Sequence, residues 1–139
     1  MEKNVNKLRL LVCGSRDWEN KDLIKQEILE LQKQYEIEVI IHGACRGADL
    51  MSGQVAKELG IPMQQYPANW SLHGKSAGPK RNQQMIDEGN PNFVLTFHDD
   101  IDESKGTKDM VLRAQKHNIP FKVVRYILTG EELIKSFER

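Results

Sequence analysis

Short apolar runs alternate along this chain with segments whose apolar residues recur at helical spacing. Leu8-Arg9-Leu10-Leu11-Val12 predicts a buried strand that stops at Cys13-Gly14. Leu23, Ile24, Ile28 and Leu31 follow at three- and four-residue steps, predicting an amphipathic helix from about Lys21 to Tyr35. Glu38-Val39-Ile40-Ile41 predicts a second strand ending at His42-Gly43. Met51, Val55, Ala56 and Leu59 mark a second helix, which Gly60 and Pro62 end.

Beyond Gly60 the pattern is less regular. Met63 to Tyr66 predicts a short strand, and Pro67 to Gly78 a loop of mixed character. A third helix is expected from near Pro79, where proline suits a first turn, with Met85 and Ile86 inward. Phe93 to Phe97 is a strand, and His98 to Gly106 an acidic loop. Thr107 then opens a helix carrying Met110, Val111 and Ala114 on one face, ahead of a last strand, Phe121 to Val124. Thr129-Gly130-Glu131-Glu132 has capping-box spacing before Leu133, Ile134 and Phe137, predicting a C-terminal helix. Such alternation predicts an α/β fold with a parallel sheet covered on both faces.

Composition narrows the class. The 139 residues, 39% hydrophobic and 6% aromatic, suit one domain, 1–139, with an aliphatic core. Twenty basic and twenty acidic side chains cancel, which argues against a protein that holds duplex DNA by its field. No apolar run approaches a membrane span, and the N-terminus lacks a signal peptide's apolar stretch, so a cytoplasmic setting without membrane contact is expected. Cys13 and Cys45 read as reduced thiols in that setting.

In a parallel sheet, ligands gather beyond the carboxyl ends of the strands. Those ends carry Gly14-Ser15-Arg16, then Gly43-Ala44-Cys45-Arg46-Gly47-Ala48-Asp49, then Gly78-Pro79-Lys80-Arg81-Asn82, then Ser104-Lys105-Gly106-Thr107. Glycines let backbone amides approach an anion, helix N-termini add positive dipole, and arginine offers a fork that matches phosphate oxygens. Together they point to an anionic, phosphate-bearing ligand. There is no G-x-G-x-x-G after the first strand, and Gly74-Lys75-Ser76 lacks the earlier glycine of a Walker loop, since position 69 is Asn69. His98, Asp99, Asp100 and Asp102 read as a solvated acidic loop rather than a cation site, so no metal and no cofactor is expected. His42 reads as a hydrogen-bonded turn residue, and Trp70 as either a base-stacking group or a loop clamp.

The set GSRDW (14–18), HGACRGAD (42–49), GPKRNQQM (78–85) and SKGTKDM (104–110) resembles the YspA-type, YpsA-related branch of the SLOG superfamily. That superfamily also holds the LOG phosphoribohydrolases and DprA. The resemblance runs from about Leu8 to Val124. It implies a single Rossmann-like three-layer domain with strand order 3-2-1-4-5 and a site for a nucleotide-derived small molecule. Carried over motif by motif, it assigns Gly14, Ser15 and Arg16 to the first turn facing the ligand, and Gly43, Arg46, Gly47 and Asp49 to the second. Asp49 would accept a ribose hydroxyl or brace an arginine, with a helix cap as the plainer account. Lys80, Arg81 and Asn82 resemble the basic helix start that holds a catalytic arginine in LOG enzymes, and Gly106 and Thr107 resemble the end of their PGGxGTxxE signature.

Here the chain departs from the enzymes. Asp102-Glu103-Ser104-Lys105 stands where the signature's first glycines belong, and Met110 where its glutamate belongs. Asp109 is the nearest carboxylate, one helical step of about 100° away. The leading expectation is therefore binding of a phosphorylated nucleotide derivative, such as an ADP-ribose or nucleoside-phosphate compound, as a sensor or sequestering protein. The alternative is a nucleotide N-glycosidase working through Arg81 and Asp109. Single-stranded nucleic-acid binding of the DprA type has Lys75, Lys80 and Arg81 in its favour, but few aromatics and no net charge. Related LOG folds pair, so the resemblance also implies a homodimer.

Overall fold

The computed structural model describes residues 6–126. Its strands are β1 (Lys7–Gly14), β2 (Glu36–His42), β3 (Met63–Gln65), β4 (Phe93–Phe97) and β5 (Phe121–Val124). The helices are α1 (Lys21–Gln32), α2 (Ala48–Leu59), α3 (Trp70–His73), α4 (Ala77–Gly89) and α5 (Lys105–Lys116). All neighbouring strands pair in parallel, in the expected order β3-β2-β1-β4-β5.

Residue alternation along β1 explains the layers. Leu10 and Val12 point to one face, where they pack with Ile24 and Ile28 of α1 and Val55 and Ala56 of α2. Leu11 and Cys13 point to the other, against Met85 and Ile86 of α4 and Met110 and Ala114 of α5. Both faces are apolar, so the strands read as continuous hydrophobic runs, as a doubly covered parallel sheet requires. After β3 the chain crosses back to lay β4 beside β1, which places the topological switch between β1 and β4.

Local chemistry sets the helix ends. Asn20 Oδ1 accepts from Leu23 N at 3.1 Å to start α1, and Gly60 closes α2 at φ 70°. Ser104 Oγ accepts from Thr107 N at 3.1 Å, so α5 opens at Lys105, two residues before the expected start. Likewise α4 begins at Ala77, and Pro79 occupies its third position, where no intrahelical donor is needed. The expected loop 67–78 instead contains α3 and a 3-10 turn, Gly74–Ser76, because Asn69 caps this short segment through Leu72 N. The helix expected from Thr129 lies outside the described residues. No helix among the described residues is long and apolar enough to cross a membrane.

Candidate functional site

A cavity of about 820 Å³ opens beyond the carboxyl ends of β1 and β4, at the topological switch. Its size falls in the range of about 300–1,000 Å³ typical of small-molecule sites. Glycines bring its walls together. A Cβ on Gly14 would run into the Phe97 carbonyl, and Ser15 N donates to that carbonyl at 2.8 Å. The Ser15 carbonyl in turn accepts from Ala48 N at 3.1 Å, the first amide of α2. Gly47 sits between them at φ 81°, and a Cβ there would meet the Ser15 carbonyl and the Arg16 backbone. Glycine at 47 thus welds the first turn to the second.

Behind this weld lies Arg81, only 8% exposed. Its Nη1 donates to the Gly43 carbonyl at 2.5 Å and reaches the Tyr66 carbonyl at 3.5 Å. Nε donates to Asn82 Oδ1 at 3.1 Å, and Nη2 lies 3.6 Å from Cys45 Sγ. These contacts occupy four of the five donors of a guanidinium. Gly43 carries no side chain because the guanidinium lies where its Cβ would be. Asp49 Oδ2 accepts from Gly43 N at 3.1 Å and Cys45 N at 3.3 Å. Burial lifts its pKa to about 6, against the opposing pull of those amides and of Arg81 and Arg16. Nearby His42 accepts from Ala44 N through Nδ1 at 3.0 Å, and burial together with the Arg81 charge lowers its pKa to about 4. Cys13 is pushed up to about 12 by burial, which leaves an inert thiol at the cavity floor.

On the opposite wall, Asn82 Nδ2 donates to the Gly106 carbonyl at 3.2 Å and to Asp109 Oδ2 at 2.9 Å. Arg113 Nε donates to the same Asp109 oxygen at 2.7 Å. One asparagine therefore couples the start of α4 to the start of α5. Thr107, 6% exposed, lines the cavity, and its hydroxyl has no hydrogen-bond partner among the described residues. Ser104, Lys105 and Gly106 line it too. The Lys105 and Gly106 amides precede the first intrahelical acceptor, so α5 offers free donors and the positive end of its dipole there. Met110 is buried among Leu11, Met85 and Val94 and touches the cavity from its floor.

The mouth is basic. Arg16, Lys75 and Lys105 line the cavity and form no ion pair among the described residues. The Arg16 guanidinium sits 5.9 Å from the centroid of the Trp70 ring. By contrast, each acidic side chain on the lining is engaged: Asp17 with Arg46 at 3.4 Å, Asp49 with two amides, Asp109 with Asn82 and Arg113. His98, also on the lining, accepts from Asp100 N through Nδ1 at 2.9 Å.

Of the residues expected from sequence, the fold brings Gly14, Ser15, Arg16, Asp49, Arg81, Asn82, Gly106, Thr107 and Asp109 onto one lining. Gly43, Arg46, Gly47 and Lys80 do not line it. Gly43 and Gly47 stand behind the wall, where they admit Arg81 and the first turn. Arg46, 70% exposed, pairs at 3.4 Å with Asp17 at the rim, and Lys80 reaches His73 Nδ1 at 3.4 Å on the surface. The helix-cap account of Asp49 also fails, because Gly47 is the N-cap of α2 and Asp49 holds the preceding turn. Sequence reasoning left Lys75, Ser104, Lys105 and Cys45 off the ligand list. Ser104, a favoured N-cap residue type, is the signal that would have found the true start of α5 and its flanking lysine.

The model of the YspA, cpYpsA-related SLOG family matches residues 8–73. The Gene 61 protein of Mycobacterium phage D29 is 31% identical over 118 residues, spanning 81% of this chain and 92% of that protein. DNA processing protein A (DprA) from Streptococcus pneumoniae superposes with a TM-score of 0.66 at 15% identity, over 95% of this chain and 56% of that one. UDP-GlcNAc 2-epimerase from Neisseria meningitidis gives 0.58 at 21% identity, over 93% of this chain and 34% of that one. The two solved structures are longer chains, and their likeness is one of fold. The phage relative, the matched family model and the parallel sheet in order 3-2-1-4-5 agree: the chain belongs to the YspA/cpYpsA-related SLOG family.

Proposed function

We propose that this chain binds a phosphorylated, nucleotide-derived small molecule in the switch-point cavity and acts as a sensor or sequestering protein for it. One observation carries the reading. Three cations on the lining, Arg16, Lys75 and Lys105, are unpaired among the described residues, while each carboxylate on the same lining is engaged. Such an imbalance favours a ligand with more than one negative charge. The buried Thr107 hydroxyl, without a partner among the described residues, and the first amides of α5 supply directed donors for phosphate oxygens. Asp49 adds a buried acceptor suited to a ribose hydroxyl.

Titration calorimetry with a nucleoside and its 5′-phosphate tests this. The phosphate is expected to bind more tightly, and Arg16→Ala to weaken it by about 1.5–3 kcal/mol, the scale of a charge-assisted hydrogen bond. Equal affinity for the two compounds would reject the reading.

Hydrolysis of the N-glycosidic bond is the alternative, and the position of Asp109 on the lining favours it. Against it, Asn82 and Arg113 hold one oxygen of that carboxylate, and Met110, at the enzymes' glutamate position, belongs to the apolar cluster. Mass spectrometry of an incubated nucleotide panel separates the two: intact retained ligand supports binding, and free base supports hydrolysis. A homodimer goes with the same family reading. A light-scattering mass near one chain at micromolar concentration would remove it.

A further inference from the structure

We infer that Trp70 is the platform on which an aromatic base of the ligand stacks, with Arg16 leaving the ring to meet the ligand's phosphate. The inference rests on the proposed function and names the ligand part which that reading leaves open.

Trp70 begins α3 and is placed before any ligand arrives. Asn69 Oδ1 accepts from Leu72 N at 3.1 Å and from Ser71 Oγ at 3.0 Å, which fixes the start of the helix. The edge of the ring lies beside Gly78 in the first turn of α4, where a Cβ would stand in ordinary contact, 3.4 Å from Trp70 Cη2. The indole nevertheless remains 49% exposed at the cavity. The other tryptophan is built differently. Trp18 is buried, its ring centroid 5.5 Å from that of Phe97, and its Nε1 donates to the Asn20 carbonyl at 2.9 Å. A structural tryptophan in this protein is thus enclosed and hydrogen-bonded, and Trp70 is neither.

What lies over the Trp70 ring is a cation that pairs with no carboxylate among the described residues. A cation–π contact at an exposed site is weak, whereas guanidinium with phosphate is a strong, directional pair. A ligand that offers both a flat base and an anion therefore satisfies both partners at once: the base takes the indole face and the phosphate takes Arg16. Lys75, five residues along the same strap, faces the cavity beside them. The chemistry recognised is an aromatic heterocycle joined to a phosphate.

Calorimetry on the full chain with AMP, GMP, CMP, UMP and ribose 5-phosphate tests this. At least one nucleoside monophosphate is expected to bind about tenfold or more tightly than ribose 5-phosphate, the scale of base–aromatic stacking. Trp70→Leu should erase that difference and leave ribose 5-phosphate unchanged, while Trp70→Phe keeps part of it. Binding should also quench the Trp70 emission, with the Trp70→Phe variant giving the Trp18 background. If the monophosphates bind no better than ribose 5-phosphate, the inference falls and the phosphate-binding function stands. Equal losses for all five probes in Trp70→Leu would make Trp70 a mere clamp of the strap and also overturn it. If no probe binds, both readings fall.

Discussion

Arg81 and Arg16 come from similar glycine-bordered motifs at the same edge of the sheet, yet the fold uses them in opposite ways. Arg81 is enclosed, with four donors committed to the turn after β2, the end of β3 and Asn82. Arg16 stands at the mouth, where its guanidinium lies over an exposed indole ring and forms no ion pair among the described residues. The difference is one of desolvation. A buried guanidinium needs fixed acceptors in the folded state, so the protein supplies them, and the side chain becomes architecture. A half-solvated one can wait for its acceptor, so it is available to a ligand. The residue that most resembles a family catalyst is thus the one most fully occupied by its own protein.

The largest test of this contrast is Arg81→Ala. Losing a buried charged staple that bridges two strand ends should cost about 3–5 kcal/mol in chemical denaturation, whereas Arg16→Ala should stay within about 0.5 kcal/mol. A mild Arg81→Ala variant with ligand binding lost would reverse the assignment of roles. Arg81→Lys should not rescue stability, because one ammonium nitrogen cannot stand in for the three guanidinium nitrogens that meet the Gly43 carbonyl, Asn82 Oδ1 and Cys45 Sγ.

Acid titration probes the enclosed side next. His42, held near 4, leaves the unfolded chain binding an extra proton between pH 6.5 and about 4, so its contribution is lost as pH falls through that window. Asp49, lifted to about 6, does the reverse. The native state binds the extra proton between 3.8 and about 6, so its contribution is present in acid and lost as pH rises. The windows overlap between about 4 and 6 and the slopes oppose, so wild-type stability should be nearly flat there with respect to these two groups. Asp49→Asn keeps an acceptor for the Gly43 and Cys45 amides and unmasks His42. Its stability should then fall by on the order of 2–3 kcal/mol on acidification from pH 6.5 to 4, read from urea midpoints. An equally flat profile in that variant would remove Asp49 as the offsetting group.

Thr107→Val probes the open side. It removes a buried hydroxyl that has no partner among the described residues, so stability should hold or rise by up to about 1 kcal/mol while phosphate affinity drops by a similar amount. A loss of stability would mean that the hydroxyl serves the fold. Smallest of all is Arg46→Ala. Its pair with Asp17 is solvent-exposed on both sides, so stability and ligand affinity should each change by less than about 0.5 kcal/mol.

The inner strands β1, β2 and β4 were legible because their buried positions fall on both faces, and Leu10-Leu11-Val12 leaves no other reading. Helix starts were less so. Periodicity reports the buried face and not the cap, so Ser104 and the α5 start at Lys105 went unread. Helix α3 escaped because four residues carry no period at all. Within the site, residue type told which turns gather at the edge. It could not tell which glycine lines the cavity and which stands behind it, since both are required by a close backbone carbonyl, that of Phe97 at Gly14 and that of Ser15 at Gly47. Nor could it separate Arg46 from Arg16, because direction out of a turn depends on the φ of neighbours such as Ala44, at 62°.

The Arg81 staple also sets how this edge breathes. The guanidinium joins residues 38 and 15 positions away in the chain, so its contacts with Gly43 and Tyr66 form only once α4 has docked on β2 and β3. Breaking them exposes a charge and its acceptors together, and amides of the Gly43 turn should exchange with solvent only through global opening. The strap from Trp70 to Ser76 rests on local turns and exposed side chains, and its amides should exchange orders of magnitude faster. The two walls of the cavity should therefore open by different routes, the strap by local fluctuation and the Arg81 staple only with the fold.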